Sequence, residues 1–376
     1  MTSLLSEISD DVNRYLNLNE LVTLTTVSTN SLYRGLSNMK FNRFVPYENG
    51  REISIKLYIF KEIKLSDIKG SSDINVKDRQ GRTPISGVIA QNNPEEIKRN
   101  STKWRYTNEM VKLLIKEGAD INTTDTDGVT PLWLAIYFDN TEIAKLLINL
   151  ASNVNLDANH TVNYDETPLY LAVKNNNIEM VELLLKKDTT NINDSDYEGV
   201  TPLYQAVKNN NFEIVELLIQ NGANVNVTEK YENKTPLHFA VNRNIKMVKL
   251  LVDAKADVNA VDSISETPLY LIANYNGNID IMKLLIRAGA NVNIAGWNKA
   301  TPLHWAVNNE NSDMVKLLIM AGADVNKADL DKRTPLSWAI KKKNSKINKD
   351  GITHLSWKIK KKDTEIMTIL KDAGAH

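Results

Sequence analysis

The sequence predicts an all-α repeat solenoid of about eight helix-turn-helix units, preceded by a small N-terminal helical module. Two observations carry this expectation. Thr-Pro begins at Thr83, Thr130, Thr167, Thr201, Thr235, Thr267, Thr301 and Thr334, and from Thr130 onward the intervals are 37, 34, 34, 32, 34 and 33 residues. Most of these dipeptides open a pair of short apolar runs at helical spacing, and several pairs close on Gly-Ala-Asn/Asp-Val-Asn, as at Gly222–Asn226, Gly289–Asn293 and Gly322–Asn326. Helix pairs this short and this apolar cannot bury their surface alone and need a copy on either side.

The unit from Thr201 to Asn226 shows the logic. Pro202 sits in a first helical turn, where its missing N–H costs nothing. Leu203, Ala206 and Val207 form an i, i+3, i+4 face, and the helix stops in Asn209-Asn210-Asn211. Asn tolerates positive φ, so this run makes a tight reversal, and Asn211 caps the next helix. Ile214, Val215, Leu217, Leu218 and Ile219 build that helix, and Gly222 supplies its left-handed stop. A period near 33 with Thr-Pro-Leu-His resembles the ankyrin repeat. The match includes Thr235-Pro236-Leu237-His238 with Ala240, and Thr301-Pro302-Leu303-His304 with Ala306. It implies ankyrin repeats over 76–376 and a protein partner held on the concave face that turn fingers and inner helices line.

Ahead of the repeats, residues 1–45 carry apolar positions at helical spacing through Leu5, Ile8, Val12 and Leu16, then Leu21, Leu24 and Val27. One reading is a helical cap for the first repeat. In the other, the order Leu5-Ser6-Glu7-Ile8, Tyr15-Leu16, Glu20-Leu21, Leu24, Val27-Ser28 resembles an F-box, with Ser6 where that family has proline and no tryptophan after Val27-Ser28. The F-box resemblance implies that Leu5, Glu7, Ile8, Leu16, Leu21, Leu24 and Val27 dock on a Skp-type adaptor of a cullin ubiquitin ligase. Residues 46–75 read as a linker, broken at Val45-Pro46-Tyr47 and Asn49-Gly50, followed by a degenerate capping half-repeat.

The Thr83 unit has a surplus of about 14 residues between Ala90 and Met110, which must loop out or lengthen a helix. A second surplus, Asn155–Asn163, lengthens the finger before Thr167. The Thr235 unit lacks one residue in its Asn242–Ile245 reversal, and the Thr267 unit has one extra at Asn276-Gly277. At the C-terminal end, Leu336–Lys343 returns as Leu355–Lys362. Because the second copy leads directly into Thr364–Ala373, it is expected to form the last hairpin.

Composition narrows the chemistry. Lys and Arg total 46 against 46 Asp and Glu, so a basic excess suited to nucleic acid is absent. No cysteine is present, which excludes disulfides and thiolate ligands and fits cytosol or nucleus. There is no run of 18 apolar residues to span a membrane, and the N-terminus lacks the basic-then-apolar order of a signal peptide. No histidine pair has zinc-ligand spacing, and no catalytic set, phosphate loop, metal or cofactor is expected. His238 and His304 are read as structural, their rings bonding to nearby backbone.

What remains is recognition by shape. Tyr197, Tyr231 and Trp297 stand four residues before a Thr-Pro, at a finger tip. Tyr137 and Phe138 replace the Lys-Asn of sister units, and Phe239, Trp305 and Trp338 are oversized for the framework position held by Leu134, Leu171 and Leu271. These rings either fill gaps between helices or outline an apolar strip for a protein partner, with Tyr137, Phe138, Tyr197, Tyr231, Trp297 and Trp305 as the contact residues. An F-box ahead of ankyrin repeats resembles proteins that intracellular bacteria and large DNA viruses use inside eukaryotic hosts. It implies a substrate-recruiting adaptor in host cytosol or nucleus. The alternative is an ankyrin scaffold or inhibitor with no ubiquitin link.

Overall fold

The computed structural model describes residues 47–48, 51–52, 74–75, 77–90, 101–116, 118–150, 166–186, 191–349 and 364–376. The F-box-like positions Leu5 to Val27, the surplus 155–163 and the copy at 355–362 lie outside them. Two compact units divide the chain, residues 1–163 and 164–376. Apart from one two-residue ladder in the first unit, the described elements are helices.

In that ladder β1 (Tyr47–Glu48) runs antiparallel to β2 (Arg51–Glu52), with Tyr47 opposite Glu52. Asn49-Gly50 lies between the strands in sequence, the dipeptide most suited to a two-residue hairpin loop. A stretch read as linker thus contains paired backbone.

Helices in the first unit are α1 (Pro84–Ala90), α2 (Ser101–Lys116), α3 (Pro131–Tyr137) and α4 (Thr141–Leu150). Within it α1 packs on α2 and α3, and α3 on α4. At 16 residues α2 is longer than α4, which has 10, so part of the surplus after Ala90 lengthens an outer helix. Lys112 of α2 ion-pairs with Glu142 of α4 at 2.9 Å.

The second unit alternates inner and outer helices. The inner row is α5 (Pro168–Lys174), α7 (Pro202–Lys208), α9 (Pro236–Ala240), α11 (Pro268–Asn274), α13 (Pro302–Asn308) and α15 (Pro335–Lys349). The outer row is α6 (Ile178–Leu185), α8 (Phe212–Gln220), α10 (Ile245–Asp253), α12 (Ile279–Arg287), α14 (Ser312–Met320) and α16 (Glu365–Asp372). Successive inner helices pack in line, and most outer helices pack on the next, so the core is a seam between two layers. Ile214, Val215 and Leu218 of α8 are fully buried, and their counterparts recur in each outer helix. Each such side chain contributes about 1.5–3 kcal/mol of burial.

Local chemistry sets each boundary. Thr167, Thr201 and Thr267 hold extended backbone at the N-cap and accept the N–H three residues on, with Pro at the first helical position. The reversals use left-handed Asn176, Asn210 and Asn276, followed by Asn caps at Asn177, Asn211 and Asn278. The Thr235 unit has no left-handed residue in its reversal, since the missing residue is the one that would hold that conformation. Gly277 is inserted between left-handed Asn276 and its cap Asn278, as the extra residue required.

At the C-terminal end, a correction is needed. The first copy, Leu336–Lys343, lies in α15, which packs on both α13 and the final outer helix α16. That copy therefore forms the hairpin assigned from sequence to the second. Thr334-Pro335 gives it a helix start, and Trp338 Nε1 donates to Asp329 Oδ2 in the finger before it, 2.9 Å away. The second copy has Thr353-His354, with no proline there in the sequence.

Candidate partner-binding surface

Most of the described fingers between repeats are five-residue turns built around an acid. Asp196, Asp262 and Asp329 each stand five residues before the threonine and each N–H donates to the carbonyl four residues on. Asp196 Oδ1 also accepts from Glu198 and Val200 N–H, both at 2.9 Å. The next residue of a finger then donates its N–H to the preceding finger. Ser263 donates to Glu232, Trp297 to Ile264 and Leu330 to Asn298, each donor four before its threonine.

In the Thr235 finger the corresponding donor is Lys230, five before its threonine, bonded to Glu198. Glu229 replaces the usual Asp, and its longer side chain caps a turn one residue wider, accepting from Tyr231, Glu232 and Lys234 N–H at 2.7–3.0 Å. Tyr231 is therefore one place out of register with Tyr197 and Trp297, although sequence spacing put all three at one position. The Glu at six rather than an Asp at five before Thr235 was the signal for this.

All three rings stand out from the fingers, at 50% exposed for Tyr197, 64% for Tyr231 and 66% for Trp297. At that exposure none of the three is a core side chain. Tyr275, at the +8 position of the Thr267 unit, is equally exposed at 66% and was not singled out by the sequence pattern. Its substitution for the asparagine that sister units hold as Asn209 and Asn309 was the available signal. In the first unit Tyr137 is exposed and stacks on buried Trp133 at 4.8 Å, with Phe138 edge-on at 5.1 Å.

The oversized inner-helix rings behave differently. Phe239, Trp305 and Trp338 are half-buried. Trp305 meets Trp338 edge-on at 5.4 Å and Tyr270 at 6.2 Å, while His304 meets Trp338 at 5.2 Å. Arg243 lies over the Phe239 ring at 4.5 Å and Arg333 over Trp338 at 5.7 Å. These rings both fill the seam between neighbours and show one edge on the inner-helix face.

Beneath that face is a polar lattice. His238 Nδ1 accepts from Thr235 N–H at 3.1 Å, and its Nε2 lies 3.0 Å from Glu266 carbonyl in the next repeat. His304 repeats this with Thr301 and Arg333. Burial pushes both imidazoles below the ordinary histidine value, which keeps them neutral, with Nε2–H as donor. The backbone role expected of both histidines is what they perform.

At Tyr170, which stands where His238 and His304 do, the ring reaches the next finger's acid. The Tyr170 hydroxyl donates to Asp196 Oδ2 at 2.7 Å, and burial, then Asp196, pushes its pKa up. Tyr270 faces a finger that carries Gly296 at the acid's position. A Cβ there would lie 2.8 Å from the Tyr270 ring, and the Tyr270 hydroxyl has no hydrogen-bond partner. Burial raises that phenol to about 12, against an opposing pull from the Trp305 indole N–H, which lies near the hydroxyl without meeting hydrogen-bond geometry.

Among the described residues no cluster of His, Cys, Asp or Glu could hold a metal ion, and no helix is long and apolar enough to cross a membrane. Compared with known families, three matches to the ankyrin-repeat model cover residues 102–196, 187–262 and 269–350, and a second ankyrin-repeat model matches 240–286. No curated protein matches the chain. Ankyrin repeats form a protein-protein interaction module. With its paired helices, Thr-Pro caps and inter-repeat fingers, the chain belongs to the ankyrin-repeat proteins.

Proposed function

We propose that this chain is a substrate-recruiting adaptor that holds one protein partner on the fingers and inner helices. The observation that carries the reading is the set of large rings left exposed at Tyr197, Tyr231, Tyr275 and Trp297 on elements whose backbones are fixed by hydrogen bonds. Rigid exposed aromatics are favoured as interface anchors, because little conformational entropy is lost when they are buried. The F-box resemblance of residues 1–45 supports delivery of the captured protein to a Skp-type adaptor of a cullin ubiquitin ligase. Cytosol or nucleus is the compartment this implies. The second reading, a scaffold or inhibitor without a ubiquitin link, is favoured by Ser6 and by the missing tryptophan after Ser28.

Two measurements separate them. Purified Skp-type adaptor should be retained by the full chain and released by Ile8→Lys with Leu16→Lys; failure of the wild type to retain it leaves only the scaffold. For the repeats, Tyr197→Ala, Tyr231→Ala and Trp297→Ala together should leave Tm within a few degrees and remove the partner recovered from cell extract. Unchanged recovery, or a collapse of Tm, would refute the exposed rings as anchors.

A further inference from the structure

The chain has no net charge, yet the charge is sorted between its layers. The six inner helices of the second unit, α5, α7, α9, α11, α13 and α15, contain no Asp or Glu at all. Their charged residues are Lys174, Lys208 and the lysines of α15. Every outer helix of the same unit carries at least one carboxylate, from Glu179 in α6 to Glu365 in α16. The described reversals that join the layers add Arg243 and Glu310.

The pairing is as uneven as the sorting. Lys174 is neutralised by Glu166 at 2.6 Å. Lys208, Arg243 and Lys341 are exposed and make no ion pair with a described residue. Arg243 is moreover held on the Phe239 ring, 4.5 Å from its centroid, so that a cation is displayed beside an apolar edge. The finger acids that border this face keep their charge, but most of their oxygens are held by groups of the fingers themselves. Asp196 takes the Tyr170 hydroxyl, Glu198 the Tyr197 hydroxyl, Glu229 three backbone N–H groups, and Glu232 pairs with Lys234. Asp329 and Asp331 pair with Arg333. Asp262 and Glu266 are buried.

We infer that the partner segment seated on this face is acidic, an Asp/Glu-bearing peptide with aromatic or aliphatic anchors. Its carboxylates meet Lys208, Arg243 and Lys341, and its apolar side chains lie against Phe239, Tyr275 and Trp305. This rests on the adaptor reading and adds the chemical class of what is captured. A helix row lacking carboxylates, with cations beside half-buried rings that make no ion pair with a described residue, offers partners to acidic side chains and none to basic ones. An Arg already stacked on a ring is preorganised for bidentate contact with a carboxylate.

The test is selection of random 12-residue peptides displayed on phage against the immobilised full chain. The winners are then synthesised and titrated by fluorescence anisotropy. Enriched peptides should carry a surplus of Asp and Glu beside Trp, Phe or Leu. Lys208→Glu with Arg243→Glu should weaken them about tenfold or more, as should raising salt from 50 to 300 mM. Lys208→Gln with Arg243→Gln, a milder change, should give a smaller loss in the same direction. Peptides that need Tyr275 and Trp305 but are neutral or basic, and bind the charge-reversed chain equally, would overturn the acidic class and leave the adaptor reading standing. If no peptide is enriched, or if binding ignores Tyr275→Ala, Trp297→Ala and Trp305→Ala alike, both fall.

Discussion

At the scale of single residues, the clearest contrast is between Tyr170 and Tyr270. Both are buried at the same point of their helices, but only Tyr170 has an acceptor, Asp196 Oδ2 at 2.7 Å. Tyr170→Phe strands that carboxylate oxygen and should cost about 1–2 kcal/mol in urea unfolding. Tyr270→Phe removes a hydroxyl that makes no geometric hydrogen bond and has only the Trp305 indole beside it, so it should cost clearly less than Tyr170→Phe. Similar losses for both would mean that Tyr270 is satisfied. His304 gives a pH prediction. Its folded value lies below its ordinary 6.5 because it is buried. The unfolded chain therefore takes up a proton as pH falls through that value while the folded chain does not, and stability is lost from about pH 6.5 downward. Tm should fall between pH 7 and pH 5. His304→Ala should cost about 2–3 kcal/mol at pH 7 and make that pH-dependent fall smaller.

At the scale of elements, repeats are tied by asparagines that end each outer-helix loop. Asn259 Oδ1 accepts from Asn291 N–H at 2.7 Å while its Nδ2 donates to Gly289 carbonyl at 3.1 Å. Asn293 does the same to Asp324 and Gly322, and Asn326 to His376 and Gly374. One side chain thus holds both strands of the following turn. Asn259→Ala should lower stability by about 1–2 kcal/mol, and hydrogen exchange should quicken at Asn291 before it does in α12. Uniform exchange across both would contradict a local tie. The fingers are the parallel device, one backbone bond per junction, and each turns through a left-handed residue two before its threonine: Gly199, Asn233, Ser265, Lys299 and Lys332. The φ of Gly199 is +80°, and a Cβ would stand 3.0 Å from Lys230 N.

At the scale of the whole molecule, the second unit is a line in which each repeat touches only its neighbours, so stability is a sum of local terms and junctions. Cutting the middle should then differ from trimming the end. Leu251 and Leu370 are both fully buried, the first in α10 and the second in the last outer helix. Leu251→Ala should cost about 2–5 kcal/mol and broaden the unfolding transition, because repeats on either side lose their coupling. Leu370→Ala should fray the final repeat alone, with exchange protection kept in α8 and α10. The same broadening from both would argue for a single cooperative block.

Much of this was legible in the chain. Thr-Pro spacing, Asn runs and Gly stops act within four residues, so helix starts, reversals and even the displaced residues at Asn242–Ile245 and Gly277 were readable from sequence alone. Residues 1–27 gave only a resemblance, and its adaptor role rests on that. Contacts about one repeat apart were not readable, because two distant stretches decide them together. The offset of Tyr231 depends on how Glu229 caps its turn against Glu198. The place of Leu336–Lys343 depends on Asp329 meeting Trp338. Whether Phe239 and Trp305 fill or bind depends on neighbours that cover half of each ring. Local rules made the repeat, and only the stacking of one repeat on the next determined which side chains were left facing outward.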